Sequence, residues 1–245
     1  MPFNAKSGKF SANINTVTMG TGDKAVKIGG ENVLPFFTFD APVENAPKVG
    51  IEITDFGLEN EPDCVKKYYE GCETVVDMAK KAASMEGVDF LCFRMEGGDP
   101  NGANKSTEEL ISTLKEVPAA VDIPLVVAGC KHVEKDAELL SKAAEAVDGK
   151  NAVILAAKEE NYKTIGAAAG LAYKQIVGGE SAVDINLAKQ LNVLMTQLGV
   201  DPKSIVMNVG SAAAGYGFEY VVSTMQRVKA AALGQNDNTL QMPII

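Results

Sequence analysis

Met207-Asn208-Val209-Gly210-Ser211-Ala212-Ala213-Ala214-Gly215-Tyr216-Gly217-Phe218-Glu219-Tyr220 is the stretch on which the reading of the chain turns. An apolar run, Ile205 to Val209, stops at a glycine, passes through a loop of small residues and opens a helix at Tyr216-Gly217-Phe218-Glu219. This is a βα turn with a bare backbone. Glycine and alanine there let a large group approach the main chain and leave N–H groups free near a helix N-terminus.

Working outward, the same alternation recurs five times upstream. Val49 to Thr54 reads as a short buried strand, and Asp63 to Met85 as one helix through Val65, Tyr68, Tyr69, Cys72, Val75, Val76 and Ala79. Phe90 to Met95 is the second strand; after the polar turn Glu96 to Lys105, Ser106-Thr107-Glu108-Glu109 has the pattern of a capped helix start. Leu125 to Ala128 is the third strand, with a helix to about Val147. Ala152 to Leu155 is the fourth, with an alanine-rich helix through Tyr173. A short fifth, Ala182 to Ile185, precedes a helix over Ala188 to Leu198, and the opening stretch supplies the sixth unit. Each helical crossover returns the chain in the same direction, so the sheet is expected to be parallel.

The first strand lacks the Gly-x-Gly-x-x-Gly turn of a dinucleotide fold, and the series fits an α/β fold of the TIM (β/α)8 barrel type better than a doubly wound sheet. Gln241 to Ile245 reads as the start of a seventh strand, so the last βα units are expected to be missing from this chain. Residues 1–48 form an N-terminal extension. Ile14 to Met19 and Ala25 to Ile28 alternate around Gly20-Thr21-Gly22-Asp23, a β-hairpin, and Leu34 to Phe39 reads as a further extended run. The hairpin is expected to close the bottom of the barrel, which occupies residues 49–245 and is truncated at the seventh strand.

Composition narrows the function. Hydrophobic residues make up 46% and charged residues 22% of the 245, with no apolar run long enough to span a bilayer, so a soluble globular protein is expected. A net charge of -9 disfavours nucleic acid or an anionic membrane as partner. Met1 to Lys6 lacks the apolar core of a signal peptide, which points to the cytoplasm. Cys64, Cys72, Cys92 and Cys130 lack Cys-x-x-Cys spacing and have one histidine, His132, to join them, so no intrinsic metal site is expected.

In a parallel sheet, chemistry belongs at the C-terminal strand ends. Those ends carry Asp99, Asn101, Asn161, Asn186 and Asn208, together with Gly215, Tyr216 and Gly217, and these eight are the candidate cofactor-binding residues. Amides donate and accept without changing charge, so the face suits a large, polar, neutral or mildly anionic ligand more than hydrolysis. No catalytic residue is assigned. Asp99-Pro100-Asn101-Gly102 is also a good plain turn, and Asn208 could serve only the backbone of its loop. His132 reads as a solvated helix-start residue. Cys130 has no second histidine to activate it, and a Schiff-base role for Lys158 is opposed by Glu159 and Glu160, which would keep it protonated. The Gly210–Gly217 loop could cradle an anion but is not a Walker motif.

Read together, several stretches resemble the small subunit of the corrinoid iron-sulfur protein, the delta-type subunit of the acetyl-CoA decarbonylase/synthase system. They are Gly29-Gly30-Glu31-Asn32-Val33-Leu34-Pro35-Phe36, Asp99-Pro100-Asn101-Gly102-Ala103-Asn104, Gly129-Cys130 with Val133-Glu134-Lys135-Asp136, and Glu160-Asn161-Tyr162-Lys163. Further along come Asp184-Ile185-Asn186, Lys189-Gln190-Leu191-Asn192, Gly215-Tyr216-Gly217-Phe218-Glu219-Tyr220 and Met242-Pro243-Ile244-Ile245. Lys131-His132 and Ala212-Ala213-Ala214 depart from the family pattern. The resemblance implies a TIM barrel paired with a large corrinoid iron-sulfur subunit that carries the [4Fe-4S] cluster. Cobalamin would lie between the two, carrying a methyl group from methyltetrahydrofolate or methyltetrahydropterin to acetyl-CoA synthase in the Wood-Ljungdahl pathway, with the methyltransferase and the synthase as transient partners. The small subunit would be one wall of that site and not the catalyst. The alternative is a stand-alone pterin-binding corrinoid methyltransferase barrel, in which Asp99, Asn101, Asn186 and Asn208 would hold the pterin.

Overall fold

The computed structural model describes residues 7–245, and the leader reading of Met1 to Lys6 lies outside the described residues. Alternating residues make the first element: β1 (Thr16–Met19) and β2 (Val26–Gly29) pair antiparallel, with Val17 opposite Ile28. Gly20 and Gly22 take positive φ between them, where a side chain would be strained. The expected hairpin is therefore present.

Six strands then pair side by side in chain order, all parallel: β3 (Gly50–Thr54), β4 (Phe90–Arg94), β5 (Leu125–Ala128), β6 (Val153–Ala157), β7 (Ile176–Glu180) and β8 (Ile205–Asn208). The connections carry α1 (Asp63–Tyr68) and α2 (Val75–Ala83), then α3 (Thr107–Ala120), α4 (Val133–Ala146), α5 (Tyr162–Ile165) and α6 (Ile185–Leu198), with α7 (Phe218–Gly234) after β8. The result is an α/β fold on a parallel sheet whose order never reverses. At the far edge Met207 N–H donates to the Pro243 carbonyl (2.8 Å) and Ile245 N–H to the Met207 carbonyl (2.9 Å), so Ile244 bridges in parallel where a seventh strand was expected.

Period two divides the strands' side chains between two cores. Leu91, Phe93, Val127, Ile154, Val177, Ile205 and Met207 face the helices. Val126, Val153, Ile176 and Val206 face the other way, with Phe90, Cys92, Leu155 and Ile245, and against them pack Val17, Met19 and Ile28 of the hairpin. A single cluster thus runs from β4 to a residue beyond β8 on the face turned away from the helices. The hairpin fills its N-terminal end: Gly20 N–H donates to the Asn151 carbonyl (2.9 Å), and Asn151 Nδ2 donates back to the Thr18 carbonyl (2.7 Å).

Four expectations need correction. Asp63 to Met85 is two helices, because Gly71 takes φ 86° and Thr74 starts α2 with a capping box to Asp77. Leu34 to Phe39 is a series of turns, with Phe36 at φ 68°. The alanine-rich helix through Tyr173 changes after α5 into a π-helical stretch, Gly166–Ala172. The fifth strand of the parallel series is Ile176–Glu180, and not Ala182 to Ile185: Ala182 and Val183 both take positive φ, and Ile185 already belongs to α6.

The buried hairpin predicts unequal costs for two truncations. Met19→Ala, at a fully buried position, should lower the free energy of unfolding in urea by about 2–5 kcal/mol. Phe39→Ala, at a residue 77% exposed, should stay within about 0.5 kcal/mol of the parent. Equal losses would contradict the hairpin's place in the core.

Candidate functional site

Beside the Val126, Val153, Ile176 and Val206 layer, the same face turns polar at β3 and β4. Glu52 and Arg94 share it with Cys92; Glu52 accepts from Arg94 Nε at 2.8 Å and from Nη2 at 2.7 Å, a two-point fork. Burial would raise the Glu52 carboxyl, but hydrogen bonds and charge from Arg94 outweigh it and hold it below its usual value. Burial, with Glu52 alongside, pushes the Cys92 thiol up to about 12, which disfavours its thiolate. At the strand ends a recess of about 260 Å³ opens, lined by Arg94, Lys131, Asp136, Lys158, Glu180 and Asn208 among others.

The turns around this recess are pinned by buried carboxylates. Asp55, after β3, accepts from Gly97 N–H (2.8 Å) and from Lys105 Nζ (2.8 Å), which ties both ends of the loop after β4 to the end of β3. Asp136, on α4, accepts from Cys130 N–H (2.7 Å), Cys130 Sγ (3.2 Å) and Lys131 N–H (3.0 Å), and a Cβ at Gly129 would collide with it. Burial raises the Asp136 carboxyl despite those donors, and burial also takes the Cys130 thiol up to about 11. Burial and the Asp136 carboxylate beside it both disfavour a Cys130 thiolate. His132 is the N-cap of α4, its Nδ1 accepting from Lys135 N–H (3.4 Å) and lying 3.3 Å from Glu134. The acid beside Lys158 is Glu180, at 3.7 Å, in place of the expected Glu159 and Glu160.

Of the eight candidate residues, Asn208 alone lines the recess, its Oδ1 accepting from Gly210 N–H (3.0 Å). Asp99 and Asn101 form a turn, Asp99 Oδ1 accepting from the Asn101 backbone N–H (2.9 Å) and Nδ2 (3.2 Å). Asn161 is buried and used internally: Oδ1 accepts from Lys158 N–H (2.8 Å) and Nδ2 donates to the Val133 carbonyl (3.1 Å). Asn186 is exposed on the first turn of α6. Gly215 and Gly217 take φ 75° and 108°, and the space beside Gly215 is open. Tyr216, Phe218 and Tyr220 are 88%, 47% and 67% exposed, an aromatic rim at the start of α7.

Glu52, Arg94 and Glu180 lie outside the strand-end reading, whereas Lys131 falls inside its Gly129–His132 turn. Two-residue periodicity puts Glu52 and Arg94 on the face of Val126, a signal in the sequence; Glu180 was hidden by the misplaced fifth strand. Among the described residues no three His, Cys, Asp or Glu side chains gather as a metal site, and no helix is long and apolar enough to cross a membrane.

The profile of the CO dehydrogenase/acetyl-CoA synthase delta subunit family matches residues 16–245. The chain belongs to this family. Relatives that share it include the acetyl-CoA decarbonylase/synthase complex subunit delta of Methanothermobacter thermautotrophicus, 31% identical over 99% of this chain and 62% of the relative. Subunit delta 1 of Methanosarcina thermophila is 34% identical over 92% of this chain and 51% of its own length. The subunit delta of Methanopyrus kandleri is 31% identical over 92% of this chain and 56% of its own length. The chain therefore spans about half to six-tenths of these delta-family relatives.

Two outcomes test the electrostatics of this delta-family face. Lys105→Met leaves Asp55 buried without its cation and should cost about 3 kcal/mol of unfolding free energy, against less than about 1 kcal/mol for Lys142→Met on the surface. Because the Glu52 carboxyl is lowered on folding, its contribution is present above the ordinary carboxylate range near 4.5 and is lost as pH falls through its folded value. Glu52→Gln should therefore be less stable than the parent by about 0.5–1 kcal/mol at pH 7, with the gap closing below pH 4.5; a gap that widens on acidification would contradict the pairing.

Proposed function

We propose that this chain acts within an acetyl-CoA decarbonylase/synthase system as a delta-type subunit. Its sheet is the larger part of a TIM barrel, with residues 1–48 as the hairpin extension and 49–245 as the barrel. Its strand-end face is one wall of a cobalamin site completed by a large corrinoid iron-sulfur subunit, which supplies the [4Fe-4S] cluster. The methyltransferase and acetyl-CoA synthase are transient partners of that assembly. Family membership supports the class of complex, and the unreversed strand order with the Met207–Ile244 bridge supports the barrel.

The observation that carries the wall is the aromatic rim of Tyr216, Phe218 and Tyr220, exposed beside an open glycine loop on the face where the strands end. Exposed aromatics grouped at one rim mark a docking surface, and tyrosine suits a contact that is part apolar and part wet. The donor set fits the group. Asn101 and Asn186 present exposed amides, the Gly210–Gly217 loop leaves room for close approach, and neutral amides can pair with the carboxamide arms of a corrin ring. Bound cobalamin supplies a cobalt centre that accepts and gives up a methyl group. The chain's own residues orient the ring's arms and keep water from its face.

The test is purification of the chain alone and with a corrinoid large subunit, read by visible absorption. The expected result is weak cobalamin binding by the chain alone and a retained corrinoid band in the pair; replacing Tyr216 and Tyr220 together by alanine should weaken the pair about tenfold or more with the fold intact. A tight 1:1 cobalamin site on the isolated chain would overturn the wall reading.

A further inference from the structure

We propose that the strand-end recess contains a subsite for one small oxyanion, a carboxylate or a phosphate, gripped by Lys131 and Lys158 with Asn208 opposite. The three cations lining the recess are unequally committed. Arg94 is held in the Glu52 fork. Lys158 Nζ is held loosely, 3.7 Å from Glu180 and 3.4 Å from the Lys131 carbonyl. Lys131 forms no ion pair among the described residues, although it lines the recess.

The place of Lys131 is built into the turn. Its backbone sits at φ 73°, and its N–H and that of Cys130 both donate to Asp136. Those bonds, with Cys130 Sγ, engage both Asp136 oxygens, so this carboxylate pins the turn, while its charge acts on Lys158. Asn208 spends its Oδ1 on Gly210, while its Nδ2 makes no hydrogen bond among the described residues and remains a donor. Two ammonium groups and a neutral amide donor in one recess match what an oxyanion needs. The volume of about 260 Å³ lies below the ~300–1,000 Å³ of sites for whole ligands, which favours one small acidic group.

This inference does not rest on the corrinoid reading, because the test uses simple anions and the chain alone. The chain is titrated calorimetrically at low ionic strength with inorganic phosphate and, separately, with acetate; the two arms decide between phosphate and carboxylate. Saturable binding on the order of millimolar is expected for one or both. Lys131→Met and Lys158→Gln should each weaken it roughly tenfold, Lys142→Met on the surface should not, and Glu180→Gln should tighten it severalfold by releasing Lys158. A purely structural role for Glu180 would not produce that gain. The proposal is overturned if the folded parent shows no saturable binding of either anion, if both lysine variants that fold bind as the parent does, or if Glu180→Gln binds more weakly. Phosphate binding that persists while the paired subunits fail to hold corrinoid would remove the wall reading and leave this one standing.

Discussion

The face of the sheet turned away from the helices has to be covered, and Val17 and Met19 do it. Parallel strands with period-two side chains present two faces, and because these strands follow in chain order, right-handed crossovers put the helices on one of them. The hairpin supplies the missing apolar volume under Val126, Val153, Ile176 and Val206, and the Asn151 bonds fix its height. With that floor in place, the upper part of the same face is free to carry charge and loops. Glu31 pairs with the buried Lys229 and so fastens the segment after the hairpin to α7, whose first turn bears the aromatic rim.

Charge on the upper face is mostly answered locally. Glu52 answers Arg94, Asp55 answers Lys105, and Asp136 is spent on backbone N–H groups, so these groups order turns in place of moving protons. Both thiols that face buried surroundings, Cys92 and Cys130, are pushed well above the range in which a thiolate forms. A face of this kind suits holding and shielding, the chemistry proposed for it.

Much of the fold was legible because caps and alternation are local. Leu125–Ala128 is read without error from its apolar run, and Ser106 caps α3 as its spacing indicates. The fifth parallel strand was not legible because two glycines interrupt Ile176–Glu180. Their reason is tertiary: a side chain at Gly178 would collide with Leu155 on the hairpin side, and one at Gly179 would press on Met195 of α6. Moving that strand hid Glu180. The break between α1 and α2 did carry a signal, Thr74 three residues before Asp77, which the long apolar periodicity obscured. Amides at strand ends do not by themselves mark contact: Asn161 is consumed inside the fold, while Arg94 reaches the recess from the end of β4 and Lys131 from a turn that Asp136 pins.

The central claim is that the strand-end face, and not the helical exterior, meets the corrinoid-bearing partner. Hydrogen–deuterium exchange of the chain, alone and in complex with that partner, tests it most directly. Protection should appear in residues 97–105 and 210–220 with α3 and α4 unchanged. Protection confined to the outer helices, with the Gly210–Tyr220 loop exchanging as in the free chain, would contradict the account.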